Sequence, residues 1–249
     1  ACVDDDVVSR ARQEREGAAV KDARKKKATE SQVQAEDPKK KVQRQFVNFA
    51  FYKLDPAFRR LPKERKEAAK KEFLEVLEGY DTDKNIIVLS YSTVGIRSDS
   101  DIMFWRISYE VENFQKMTTR LYQTDLGSFL TPTYSYLSQT KQSMYQDMFN
   151  PEHEEDRTHI IPGKAKYLFI YPFVKTREWY LLTQFTRQGI MDEHIYVGNK
   201  YPSVKLNTTY SFGIDDQEFV VAFETDYPQD FVDLVMELRE TQGSIYVER

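Results

Sequence analysis

Three histidines, one cysteine and no glycine-rich phosphate loop narrow the chemistry open to this chain of 249 residues. It also lacks a GxSxG elbow and any Cys–His pair at a recognised spacing. Cys2 stands alone, which excludes a disulfide framework and a cysteine-built zinc site. His153 and His159 lie in PEHEEDRTH, crowded with other titratable groups. Zinc and hard-cation sites follow tighter ligand spacing, so a solvated loop is the plainer reading and a metal site the sharper one. His194 is different. Ile190, Met191 and Ile195 flank it at i−4, i−3 and i+1, so it shares the apolar face of its helix. A buried imidazole needs a carbonyl, a carboxylate or a metal as partner. Two readings stay open: a satisfied core histidine, or a neutral imidazole aimed at a large apolar cofactor. Haem would suit the second, because its iron takes a single proximal histidine and its faces need apolar walls. The chain is rich in such walls, with 16 Phe, 16 Tyr and 2 Trp, although aromatics at these spacings also make ordinary core.

The elements that must position these residues read as one unit written twice. QFVNFAFYKL (45–54) alternates in part and is rich in Phe, which suggests a strand. Pro62 suits the first turn of a helix in which Ala69, Phe73, Val76 and Leu77 share a face. Strands over 85–95 and 100–110 are joined by the turn-rich IRSDS; an amphipathic helix over 111–130 and a strand over 133–141 follow. The second copy begins at Lys166 with KYLFIYPFV. A helix over 177–198, strands in KLNTTYSFG and EFVVAFETD, a helix over 227–241 and a closing GSIYVER complete it. Both copies are β-α-β-β-α-β, which predicts two tandem ferredoxin-like α+β halves (45–141 and 166–249) sharing one antiparallel sheet. Between them, residues 142–165 form a connector long enough to carry function.

Charge separates these halves from what precedes them. Residues 1–44 hold 12 Lys/Arg and 9 Asp/Glu, no aromatic residue, and only Val and Ala as aliphatics. This segment reads as a charged, helix-prone docking arm without a core of its own. The net charge of −4 argues against a nucleic-acid partner, and no apolar run is long enough to span a membrane. The expected location is a soluble interior: cytoplasm, or an organelle such as a plastid after transit-peptide removal.

From about Arg44 to the end the chain resembles the chlorite dismutase-like superfamily of haem and coproporphyrin-iron proteins. The stretches that carry the resemblance are FVNFAFYKLDPAFRRL, YPFVKTREWYLL, R-x3-M-x2-H-x3-G-x2-YP from Arg187 to Pro202, and NTTYSFGIDDQEF. Their order and spacing are specific. The resemblance implies paired ferredoxin-like domains forming a dimeric α+β barrel unit. It further implies His194 as the proximal ligand to iron, with Lys175, Trp179, Arg187 and Leu206 as cofactor-binding residues. The distal Arg of chlorite-dismutating members has no counterpart in Val204-Lys205-Leu206-Asn207, which disfavours chlorite chemistry. Coproheme decarboxylases carry a Tyr in YP-[MF]-x-[KR], which falls on Tyr171, with the basic residue on Lys175. The actinobacterial type adds a distal His, matched more weakly by His159. One departure stands out: the carboxylate that usually receives a hydrogen bond from the proximal His is replaced by Gln242 or Gly243.

Two functions follow from the resemblance. In the first, coproheme propionates are oxidatively decarboxylated to haem b with peroxide. Tyr171 abstracts hydrogen as a radical, Lys175 pairs with a propionate, His159 takes a proton from peroxide, and His194 holds iron. In the second, a non-catalytic subunit with an empty or inactive pocket is docked by residues 1–44 into a larger assembly. Haem peroxidase or chlorite lyase activity ranks third. The cofactor implied is haem b or iron-coproporphyrin, and the assembly implied is a homo-oligomer, a pentamer, or a larger complex.

Overall fold

The Phe-rich run in QFVNFAFYKL makes strand β1 (Phe46–Leu54), buried on both faces and the second-innermost strand of the first half in this computed structural model. The structure describes residues 43–81, 83–145, 147 and 158–248. The arm expected over 1–44, except for its last two residues, lies outside them, as does the connector stretch 148–157 with His153. After β1, Asp55 caps a short helix α1 (Pro56–Arg59) by accepting from Ala57 N at 2.7 Å. Helix α2 (Lys63–Asp81), strands β2 (Ile86–Ser92) and β3 (Ile102–Ser108), helix α3 (Glu112–Tyr122) and strand β4 (Leu130–Gln139) complete the first half.

The second half repeats the order. Strand β5 (Tyr167–Phe173) is followed by helices α4 (Arg177–Leu181) and α5 (Gln184–Asn199), strands β6 (Lys205–Tyr210) and β7 (Phe219–Thr225), and helix α6 (Pro228–Glu240). All seven strands form one antiparallel sheet in the order β2-β3-β1-β4-β6-β7-β5, and the halves meet at the single pair Gln139↔Tyr210. The duplication extends to the turns: Gly95 in YSTVGI and Gly213 in YSFGI both take positive φ, +78° and +74°, where a side chain would be strained.

Each strand presents two faces, and they do different work. On one, Phe49, Met103, Trp105 and Ile107 of the first half pack with Leu168, Ile170, Val220 and Ala222 of the second, so the sheet closes on itself around a shared apolar interior. On the other, α2 and α3 fill the first half: Phe73, Phe114, Met117 and Leu121 meet Ala50, Tyr52 and Phe104. The corresponding cluster in the second half is much smaller, built on Val197, Val221, Phe223 and Leu234. The same fold unit is packed in one copy and open in the other.

Three elements depart from the sequence expectation. The helix expected over 111–130 ends at Tyr122, because Thr124 Oγ1 donates to Leu121 O (2.6 Å) and accepts from Gly127 N (3.0 Å), winding the chain into a 3-10 turn. The helix expected over 177–198 breaks at Leu182–Thr183, both extended; the Thr183 hydroxyl then caps α5 by accepting from Thr186 N. GSIYVER is not a strand. It begins within a 3-10 turn, Gln242–Tyr246, where Ser244 Oγ donates to the carbonyls of Arg239 and Thr241, and one bridge, Lys175↔Val247, remains of the last strand. Among the described residues no helix is long and apolar enough to cross a membrane.

Candidate cofactor-binding site

The open face of the second half is a cavity of about 960 Å³, a size proper to a cofactor-sized ligand. Strand alternation supplies its floor: Tyr171 and Phe173 from β5, Leu206 and Thr208 from β6, Phe219, Val221 and Phe223 from β7. Helix α5 supplies one wall with Met191, His194 and Ile195, and α6 another with Leu234, Leu238 and Arg239. The end of the first half and the start of the connector border it through Lys141, Ser143 and Tyr145.

His194 is half-buried, and neither ring nitrogen has a hydrogen-bond partner among the described residues. Burial first, then the positive charge of Lys175, pulls its imidazole from the ordinary 6.5 down to about 4, against the opposing charge of Glu193. The ring is therefore neutral at pH 7, the form that ligates metals. A bare metal ion would find too few ligands: the described residues hold no group of three or more His, Cys, Asp or Glu suited to one. A single imidazole can complete only a metal that brings its other ligands with it, as a chelating macrocycle does. Apolar walls, one neutral imidazole and a basic lining fit such a group.

The polar lining is strongly one-sided. Lys141, Lys175, Lys200, Lys205 and Arg239 face the cavity, whereas Asp147 is the one carboxylate among the described lining residues. Lys200 is paired with Glu237 at 2.7 Å and Lys205 lies 3.8 Å from Glu224. Lys141, Lys175 and Arg239 have no carboxylate in salt-bridge reach among the described residues. A flat apolar ligand carrying several carboxylates would meet complementary charge.

Tyr171 stacks on Phe223 with 5.9 Å between ring centroids, and its hydroxyl has no hydrogen-bond partner among the described residues. Burial raises its pKa, partly offset by the charge of Arg239, so the phenol keeps its proton at neutral pH. Lys175 is turned inward. Its Nζ donates to the carbonyl of Gly243 at 3.1 Å and sits 4.6 Å from the centre of the Trp179 ring. Burial pulls its ammonium from 10.5 to about 8, although the charge of Glu218 acts the other way. Trp179 is 3% exposed and wedged against Tyr145 and Tyr246.

The structure thus brings Tyr171, Lys175, Trp179, His194 and Leu206 to one cavity and leaves two expected residues outside it. Arg187 lies two helical turns before His194, about 10 Å along α5. Its guanidinium interacts with Tyr145 and Tyr180, and its buried Nε has no hydrogen-bond partner. His159 lies at the first half, 2.9 Å from Thr158 Oγ1 and edge-on to Tyr109 just after β3, while the next residue, Ile160, is plugged into the interior between the half-sheets. Sequence reasoning missed Lys141, Tyr145 and Arg239. Arg239, in the last turn of α6 and one turn before Gly243, carried the one readable signal.

The carboxylate position left ambiguous by sequence falls on Gly243. A Cβ built there would lie 3.7 Å from His194 Nδ1, whereas Gln242 is exposed and gives its backbone N–H to Glu193 at 2.9 Å.

Comparison with known proteins agrees with this architecture. Residues 66–249 match the sequence profile of the chlorite dismutase family. A coproheme decarboxylase of Mycolicibacterium smegmatis is 31% identical over 168 residues, covering 65% of this chain and 68% of that protein. A mutant chlorite dismutase of Candidatus Nitrospira defluvii superposes with a TM-score of 0.74 at 26% identity, covering 82% of this chain and 86% of the other. The imidazole complex of the same enzyme gives a TM-score of 0.72 at 26% identity, with the same coverage.

Proposed function

The chain belongs to the chlorite dismutase family, and from that premise we propose that it binds an iron tetrapyrrole and decarboxylates the propionates of coproheme. The observation that carries this reading is the convergence of His194 and Tyr171 on one apolar cavity with a basic lining. Coproheme bears four propionates and haem b two, and the cationic excess of the lining favours the more highly charged ligand.

His194 would hold the iron through a ring nitrogen that needs no prior deprotonation at neutral pH. Lys141 and Arg239, which lack carboxylate partners, would hold propionates. Iron held there would activate peroxide, whose reduction would supply the two oxidising equivalents that each decarboxylation consumes. For each propionate the β-carbon loses a hydrogen and the bond to the carboxylate carbon breaks. A vinyl group forms, carbon dioxide leaves, and peroxide is reduced to water. Tyr171, a protonated phenol on the cavity floor, is the group to give up its hydrogen atom and regain one from the β-carbon. His159 has no part in this scheme.

The assay is mass spectrometry of the porphyrin after peroxide is added to coproheme-loaded protein. Wild type should yield products lacking one and then two carboxylates. Tyr171→Phe should bind coproheme as well, since only a hydroxyl is lost, and should not decarboxylate it. Equal turnover by Tyr171→Phe would refute the role of Tyr171. No turnover by wild type would favour the second reading, tetrapyrrole binding without catalysis, which the position of His159 and the glycine beside His194 support.

A further inference from the structure

Granted the tetrapyrrole reading, the side of the site behind His194 carries a charge of unexpected sign. A histidine that ligates a metal usually donates its second ring N–H to a carboxylate, a carbonyl or water, which makes it a stronger donor. At Nδ1 of His194 this chain places Gly243, a buried glycine in the turn after α6, with no side chain that could accept. The carbonyl of that same residue accepts from Lys175 Nζ at 3.1 Å and not from the imidazole. The nearby carboxylate, Glu193, is exposed and receives the backbone N–H of Gln242.

Lys175 is held there by more than one contact. Its backbone bridges Val247, its N–H donates to Glu218 Oε2 at 2.8 Å, and its ammonium lies over Trp179. A held cation therefore acts on the imidazole from the side where a hydrogen-bond acceptor would ordinarily stand. We propose that Lys175 and Gly243 form a cationic backing to His194 that weakens its donation and shifts iron bound there toward the ferrous state. Ferric iron carries one more positive charge than ferrous, so a fixed neighbouring cation disfavours it, and an imidazole without an acceptor compensates it less. Lys175 acts through His194 as a positioning residue, not through the reacting carbon.

The test uses the full chain loaded with haem b, with spectroelectrochemical midpoint potentials and the iron–histidine stretching frequency of the ferrous protein as readouts. Lys175→Met removes the charge, Lys175→Arg keeps it, and Gly243→Glu supplies an acceptor where a Cβ makes only ordinary van der Waals contacts. Lys175→Met and Gly243→Glu should each shift the ferric-to-ferrous balance at least tenfold toward ferric, 59 mV for a one-electron couple. Gly243→Glu should also raise the stretching frequency, and Lys175→Arg should stay at the wild-type potential. Potentials within that tenfold for wild type and Lys175→Met, with a histidine-ligated spectrum in both, would overturn the inference and leave the tetrapyrrole reading standing. Absence of a histidine-ligated spectrum in wild type would overturn both.

Discussion

Replacing Lys175 with Met should stabilise the ligand-free protein at neutral pH, although it removes a hydrogen bond and a ring contact. Burial lowers the Lys175 ammonium from an ordinary 10.5 to about 8. At about 1.4 kcal/mol per pH unit, keeping that charge in the fold costs about 3 kcal/mol relative to the unfolded chain. The bond to the Gly243 carbonyl returns about 1.5 kcal/mol, and the contact with Trp179 about 1 kcal/mol. Methionine at this half-buried site adds about 1 kcal/mol of apolar burial. The net expectation is a gain of about 1–2 kcal/mol at pH 7, read as the urea midpoint of ligand-free protein. The pH dependence fixes the cause. The folded pKa lies below the unfolded one, so the wild-type penalty is complete below pH 8 and is relieved as pH rises toward 10.5. The advantage of Lys175→Met should therefore shrink across that window and reverse before pH 10.5. A less stable variant at pH 7, or parallel curves from pH 7 to 10.5, would refute the reasoning.

Two further outcomes are expected. A Cβ at Gly127 would lie 1.8 Å from the Leu121 carbonyl oxygen and 2.8 Å from Thr124 Oγ1, so Gly127→Ala should cost about 3 kcal/mol by urea unfolding; a change below 0.5 kcal/mol would show that the turn yields freely. The full chain should run as a ring of five by light scattering, burying Val232 and Met236, which are 52% and 63% exposed on α6; a mass near a single 29.4 kDa chain would contradict this.

Continuous apolar runs rich in β-branched and aromatic residues made β1, β3 and β7 legible, because these strands are buried on both faces. The helix breaks were harder to read. They depend on single hydroxyls, of Thr124, Thr183 and Ser244, bonding to backbone a few residues away, and the same residues occur inside helices elsewhere. His194 was legible as a residue on an apolar face, but not as a residue lacking a partner, which depends on what the turn after α6 places behind it. Of the basic lining only Lys175 was legible, through its motif: Lys141 and Arg239 are nearly a hundred residues apart in sequence and meet only through the sheet and α6. His159 and Arg187, which the resemblance places in the site, are not among the residues that line this cavity.

Whether this cavity takes a tetrapyrrole through His194 decides the function. Coproheme titrated into the full-length wild type and into His194→Ala, followed by visible absorbance, tests that most directly. The wild type should saturate with the spectrum of a histidine-ligated iron porphyrin, and His194→Ala should lose that ligand field and bind more weakly. Identical spectra and equal affinities for the two proteins would contradict it.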